Sequence, residues 1–163
     1  MKHFKSIVAS ILVTFAVAGC KTPTEIDRSY AGMTFDIECM GTDLDGSQTL
    51  RSWGTGKNKS QAMETAKKNA VRAVLFKGIH SGSGDCNKKP IILEVNAEEK
   101  YESYFNKFFA DGGAYKNYTS MTDEKSTSRI KSANNSIETW GIVVRIDRSG
   151  LKQRMINDGI IKP

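Results

Sequence analysis

The sequence contains few of the residues that most often carry out catalysis or bind metals. It has two histidines and three cysteines among 163 residues, and beyond position 20 only His80, Cys39 and Cys86 remain. A structural zinc site needs four ligands, so these three residues do not make one. Asp43 and Asp45 are expected to form a turn rather than a catalytic pair. We therefore expect a protein that is not an enzyme, has no metal or cofactor, and does not take a small-molecule ligand.

A long hydrophobic run and a strong charge bias are also absent. Lys and Arg outnumber Asp and Glu by 24 to 18, and 39% of the residues are hydrophobic. These proportions are typical of one globular domain. They exclude a disordered tail and a protein with several membrane spans. Two lysines lie in the first five residues, so the rest of the chain has a net charge of 22 minus 18, or +4. This mild basicity does not indicate a nucleic-acid partner.

The first twenty residues have the pattern of a secretory signal peptide. Two lysines precede an apolar run at 7–17, which is shorter than the roughly 20 residues of a membrane-spanning helix. The segment ends in Val17-Ala18-Gly19-Cys20, which resembles the lipobox of bacterial lipoproteins. In that family the peptide is cut before the cysteine, and the thiol receives a diacylglycerol. The resemblance implies a signal peptide at 1–19 and lipidation of Cys20. The alternative is a soluble signal peptide that ends in a coincidental cysteine.

The residues after Cys20 bear on the location of the protein. Lys21 stands where lipoproteins retained in the inner membrane carry Asp, so the resemblance implies the outer membrane. We expect the protein to face the periplasm rather than the cell surface. Residues 20–32 contain Pro and Gly without an apolar period, which is typical of a tether. A single domain is then expected at 33–163.

Export changes what the two remaining cysteines are expected to do. In an oxidising compartment Cys39 and Cys86 favour a disulfide over a catalytic or metal-binding pair. A disulfide here would close a loop of about 45 residues and stabilise the fold by about 3 to 4 kcal/mol.

The hydrophobic pattern predicts an α+β fold. We expect an antiparallel sheet of about four strands, two main helices packed on one of its faces, and a short terminal helix. Alternation from Met33 predicts a strand with Cys39 on its core face, and a turn at 43–46 leads to a partner strand at 48–55. Asn58 caps a helix with an alanine at every fourth position, which ends at Gly78. Residues 140–146 predict the central strand, and a last helix ends at Gly159.

Aromatic residues are concentrated between positions 101 and 118. A short apolar run at 90–95 predicts an edge strand, and a helix from Asn96 to Ala110 is expected to follow it. The spacing of the aromatic residues on this helix places them on one face, where they form either core or a partner-binding groove. The candidate partner-binding residues are Tyr101, Tyr104, Tyr115, Tyr118 and Trp53.

A second resemblance concerns the domain itself. Gly54-Thr55-Gly56 precedes the alanine-rich helix, and the strand at 141–146 is followed by another helix. This arrangement is similar to small envelope lipoproteins and to the amino-terminal domain of flagellar assembly protein T. The resemblance implies an α+β domain that serves as a structural accessory of an envelope machine, without catalytic residues.

Two functions remain open at this point. The first is a non-catalytic docking component of a secretion, motility or cell-wall assembly, with the aromatic face and the loop at 112–122 as its contact surface. The alternative is a surface-displayed lipoprotein that binds glycan or host protein. Clustering of Trp53, Tyr115 and Tyr118 on one open concave face would favour the alternative, whereas additional exposure of Phe105, Phe108 and Phe109 would favour a protein partner.

Overall fold

The structure is a computed structural model that describes residues 36–82, 85–121, 127–131 and 137–163. The expected signal peptide at 1–19, the tether at 20–32 and the beginning of the first strand at Met33 lie outside the described residues. So do parts of the polar segments on either side of residues 127–131. The described chain has an α+β fold, as the hydrophobic pattern predicts.

The sheet in the described residues has six strands. Their order is β3-β1-β2-β6-β4, and β5 pairs with β6 alongside β4. All the pairings are antiparallel except the one between β1 and β3, so the sheet is mixed and larger than the expected antiparallel sheet of about four strands. The strands are β1 (Glu38–Thr42), β2 (Gln48–Gly56), β3 (Ser81–Gly82), β4 (Thr119–Met121), β5 (Ser128–Lys131) and β6 (Glu138–Ile146).

The helices pack against this sheet to form the core. None of the helices in the described ranges has the length and apolar character that crossing a membrane requires. The α-helices are α1 (Lys59–Arg72), α2 (Ala97–Lys100), α3 (Glu102–Phe108) and α4 (Arg148–Asn157); a π-helical turn at Ala73–Lys77 extends α1, and a 3₁₀ helix covers Ala114–Tyr118.

Helix α1 packs closely against strand β2. The Asn58 side chain accepts a hydrogen bond from the Gln61 backbone N–H at 3.0 Å, which confirms the predicted cap. The alanines at every fourth position are fully buried, and the Ser52 hydroxyl donates to the Ala66 carbonyl at 2.7 Å. A Cβ at Gly54 would overlap the backbone of Ala62 and Ala66. The small residues on both elements are therefore what permits this approach.

Strand β6 is central, as predicted. It pairs with β2 along nine residues on one edge, and with β4 and β5 on the other. The predicted turn at 43–46 also forms, with the Asp45 carboxylate accepting from the Ser47 N–H at 2.9 Å. The final helix, α4, ends at Asn157, just before Gly159.

The region from 90 to 110 differs from its prediction. Residues 90–95 form no strand, because the backbone N–H groups of Ile91 and Ile92 donate to the carbonyls of Val74 and Leu75 at the end of α1. The expected helix from Asn96 to Ala110 is broken at Tyr101 into α2 and α3. Asn96 has a left-handed backbone, with φ at 61°, and its side chain makes no cap hydrogen bond.

Candidate functional site

The phenylalanines of α3, and Phe109 directly after it, belong to the core. The Phe105 ring has its centroid 4.9 Å from that of Phe76 and 6.2 Å from that of Phe109, and Phe108 stands edge-on to it. Phe105, Phe108 and Phe109 are all buried. Rings packed in this way contribute to stability through burial and edge-to-face contacts. These phenylalanines therefore do not offer a contact surface to a partner.

Tyr115, which we expected at a partner interface, is fully buried. Its hydroxyl donates to the Glu64 carboxylate, and burial together with this hydrogen bond raises the pKa of the Tyr115 hydroxyl. The expectation for Tyr115 is therefore corrected: it anchors the 3₁₀ helix to α1. The other three candidate tyrosines, Tyr101, Tyr104 and Tyr118, are half-buried. Tyr104 donates to Asp158 at 2.5 Å, and Tyr118 stacks on Phe108.

Trp53 lies on the opposite face of the sheet from the tyrosines. Side chains alternate along β2, and its neighbours Ser52 and Gly54 face α1, so Trp53 points away from that helix. It is half-buried, and its ring packs over Gly141, leaving no room for a Cβ there. Trp53, Tyr115 and Tyr118 therefore do not share one concave face. Whether the exposed parts of Trp53, Tyr101, Tyr104 and Tyr118 contact a partner stays a prediction.

Cys39 and Cys86 form a disulfide, as predicted. Both are buried, with Cα atoms 5.9 Å apart, and the bond ties β1 to the chain that follows β3. His80, the remaining histidine beyond position 20, is exposed, with its Nε2 atom 3.1 Å from the Lys77 carbonyl. Throughout the described ranges, no group of three or more His, Cys, Asp and Glu side chains is arranged to hold a metal.

Glu64 is the centre of a charged cluster beside Tyr115. Its carboxylate accepts from the Tyr115 hydroxyl and lies 2.8 Å from Lys116 Nζ and 3.7 Å from Lys67 Nζ. Burial raises the pKa of Glu64, but the hydrogen bonds from Lys116 and Tyr115 and the two lysine charges outweigh it, so the pKa lies below its usual value. The ionised carboxylate therefore stabilises the folded state.

This cluster predicts an acid-sensitive part of the stability. Because the Glu64 pKa is lower in the folded than in the unfolded chain, its contribution is present above pH 4.5 and is lost as the pH falls through the folded value. In urea unfolding followed between about pH 6 and pH 3, the midpoint of Glu64→Gln should fall less than that of the wild type. Glu102→Gln, at an exposed position, is the control and should follow the wild type. Equal acid sensitivity in Glu64→Gln and the wild type would contradict this assignment.

The structure also has an open groove of about 730 Å³ between the end of α1 and helices α2 and α3. Phe76 and Phe105 line its base, while Leu93 and Val95 are exposed at 74% and 83%. We call this the 93–95 groove. The sequence interpretation missed it, because the apolar run at 90–95 indicated a strand. The sequence signal for this groove is the alternation of Leu93, Glu94 and Val95 just before a polar segment.

Comparison of this chain with family models, curated proteins and solved structures finds no match.

Proposed function

We propose that this chain is an exported lipoprotein, anchored to the outer membrane through Cys20, that serves as a non-catalytic docking component of an envelope assembly. The observation that carries the proposal is the Cys39–Cys86 disulfide. Disulfides persist in oxidising compartments such as the periplasm. Because the bond uses both cysteines of the domain, the remaining cysteine of the sequence is Cys20, which follows the apolar run at 7–17.

The anchor itself rests on the sequence. Val17-Ala18-Gly19-Cys20 resembles a lipobox, and Lys21 in place of Asp favours the outer membrane over the inner one. That the domain faces the periplasm is a separate part of the proposal. Two or three acyl chains hold a small domain on a membrane firmly, whereas one binds reversibly. The relation to flagellar assembly protein T stays a prediction, as do the secretion, motility and cell-wall machines named as partners. The aliphatic side chains of the 93–95 groove offer a contact surface in place of the buried aromatic residues.

The test compares the full chain with Cys20→Ala and Lys21→Asp in bacteria labelled with a fatty acid. The wild type should carry the label and sediment with outer membranes, whereas Cys20→Ala should carry none. Lys21→Asp is the matched control: it should remain labelled, because Cys20 is intact, but move to the inner membrane. A wild type without label, or label retained in Cys20→Ala, would overturn the anchor.

A further inference from the structure

The 93–95 groove is built by backbone geometry rather than by chance exposure of two side chains. The N–H groups of Ile91 and Ile92 donate to the Val74 and Leu75 carbonyls at 3.0 and 2.9 Å, and the Ile92 side chain is buried. The chain then leaves the core, and Leu93 and Val95 project beside Phe76 on the π-helical turn. Exposed large aliphatic residues next to a preformed groove are typical of an interaction site.

The rim of the groove is acidic. Glu94, Glu98, Glu99 and Glu102 all line it, although the chain as a whole is basic. Lys100 pairs with Glu94 at 2.6 Å, and Arg72 pairs with Glu98 at 2.8 Å. Among the residues that the structure describes, Glu99 and Glu102 have no ion-pair partner. A ligand that brings positive charge would therefore meet carboxylates that no side chain in the described ranges compensates.

The acidic rim narrows the kinds of partner that Leu93 and Val95 could contact. Membrane-binding surfaces place Lys and Arg beside their apolar residues, because lipid headgroups are anionic. Nucleic acids are anionic as well. Both would be repelled by Glu99 and Glu102, whereas a cationic protein segment would be attracted. A segment with an aliphatic side chain between lysines or arginines matches both the base of the groove and its rim.

We propose that the 93–95 groove binds a basic, aliphatic peptide segment of a partner protein. The proposal rests on the proposed function in that an anchored docking component requires a contact surface for its partner. Leu93 and Val95 supply the apolar contact, and Glu99 and Glu102 recognise the flanking positive charges.

The probe is a displayed library of random twelve-residue peptides, selected on the purified full chain in detergent. Enriched peptides should place Lys or Arg next to Leu, Ile or Val. Leu93→Ser/Val95→Ser should weaken their binding by about tenfold or more, and Glu99→Gln/Glu102→Gln should weaken it and reduce its dependence on salt. Leu44→Ser and Asp36→Asn are the matched controls, since both side chains are exposed outside the groove, and they should bind as the wild type does.

Several outcomes would overturn the proposal. No enrichment, enrichment of acidic peptides, or peptides that bind Leu93→Ser/Val95→Ser equally well would each do so. Binding to vesicles of anionic phospholipid that Leu93→Ser/Val95→Ser abolishes would make the occupant a membrane. Self-association in sedimentation that the same variant abolishes would make it a second copy of the chain. Labelling of Cys20 tests the anchor separately, because groove variants should keep the lipid. If a protein that carries the label does not bind the peptides, the groove proposal fails and the anchor proposal stands.

Discussion

Removing the disulfide should lower the free energy of unfolding by about 4 kcal/mol, for a pair separated by 47 residues. The bond restricts the unfolded chain, whose loop-closure entropy rises with loop length. It also fixes the two-residue strand β3 and the chain after it to the edge of β1, where the pairing covers Glu38 and Cys39 alone. Urea unfolding of Cys39→Ala/Cys86→Ala beside the wild type measures the loss.

Reduction provides the matched control for this prediction. A reductant should shift the wild-type midpoint toward that of Cys39→Ala/Cys86→Ala, because both lack the cross-link. The double variant should not respond to the reductant, since the bond that it would break is gone. A wild-type midpoint that is insensitive to reduction would contradict the role of the disulfide.

Replacing Gly54 with valine should destabilise the domain by about 3 kcal/mol, at the upper end of the cost of overpacking. The added Cβ would overlap the Ala62 carbonyl oxygen and the Ala66 amide nitrogen. Both are backbone atoms of α1, so no side-chain rotation relieves the overlap, and the helix must move off the sheet. The strand preference of valine, worth about 1 kcal/mol, does not offset this.

Thr55→Val is the matched control, because it places the same side chain one residue further along β2 at an exposed position. Its free energy of unfolding should stay within about 0.5 kcal/mol of the wild type. The result that would contradict the close packing of α1 on β2 is a Gly54→Val variant as stable as Thr55→Val.

The elements that the sequence predicts well are those whose signals are local and repeated. Strand β6 alternates along most of its length, and α1 combines the Asn58 cap with alanines at every fourth position. Strand β3 has two residues and exists because β1 and the disulfide lie beside it, which no local pattern indicates. Strand β4 is likewise short and is defined by its pairing with β6.

The candidate site is harder to predict from the sequence, because tyrosine occurs both in protein cores and at interfaces. Tyr115 lies 51 residues from Glu64, the carboxylate that accepts from its hydroxyl, so its burial depends on tertiary packing. Trp53 lies apart from the tyrosines because its side chain points to the face of β2 that α1 does not cover. Predicting this requires knowing which face of the sheet α1 covers. The apolar run at 90–95 resembles a strand in sequence, but its backbone N–H groups donate hydrogen bonds to the carbonyls at the end of α1 instead of to a neighbouring strand.

The most direct test of the central claim is the intact mass of the native protein extracted from the cell envelope, measured before and after reduction. We predict a chain that begins at Cys20, carries a diacylglycerol and further acyl mass, and gains the mass of two hydrogens when Cys39 and Cys86 are reduced. A chain without lipid, or one that begins at any other residue, would contradict the account.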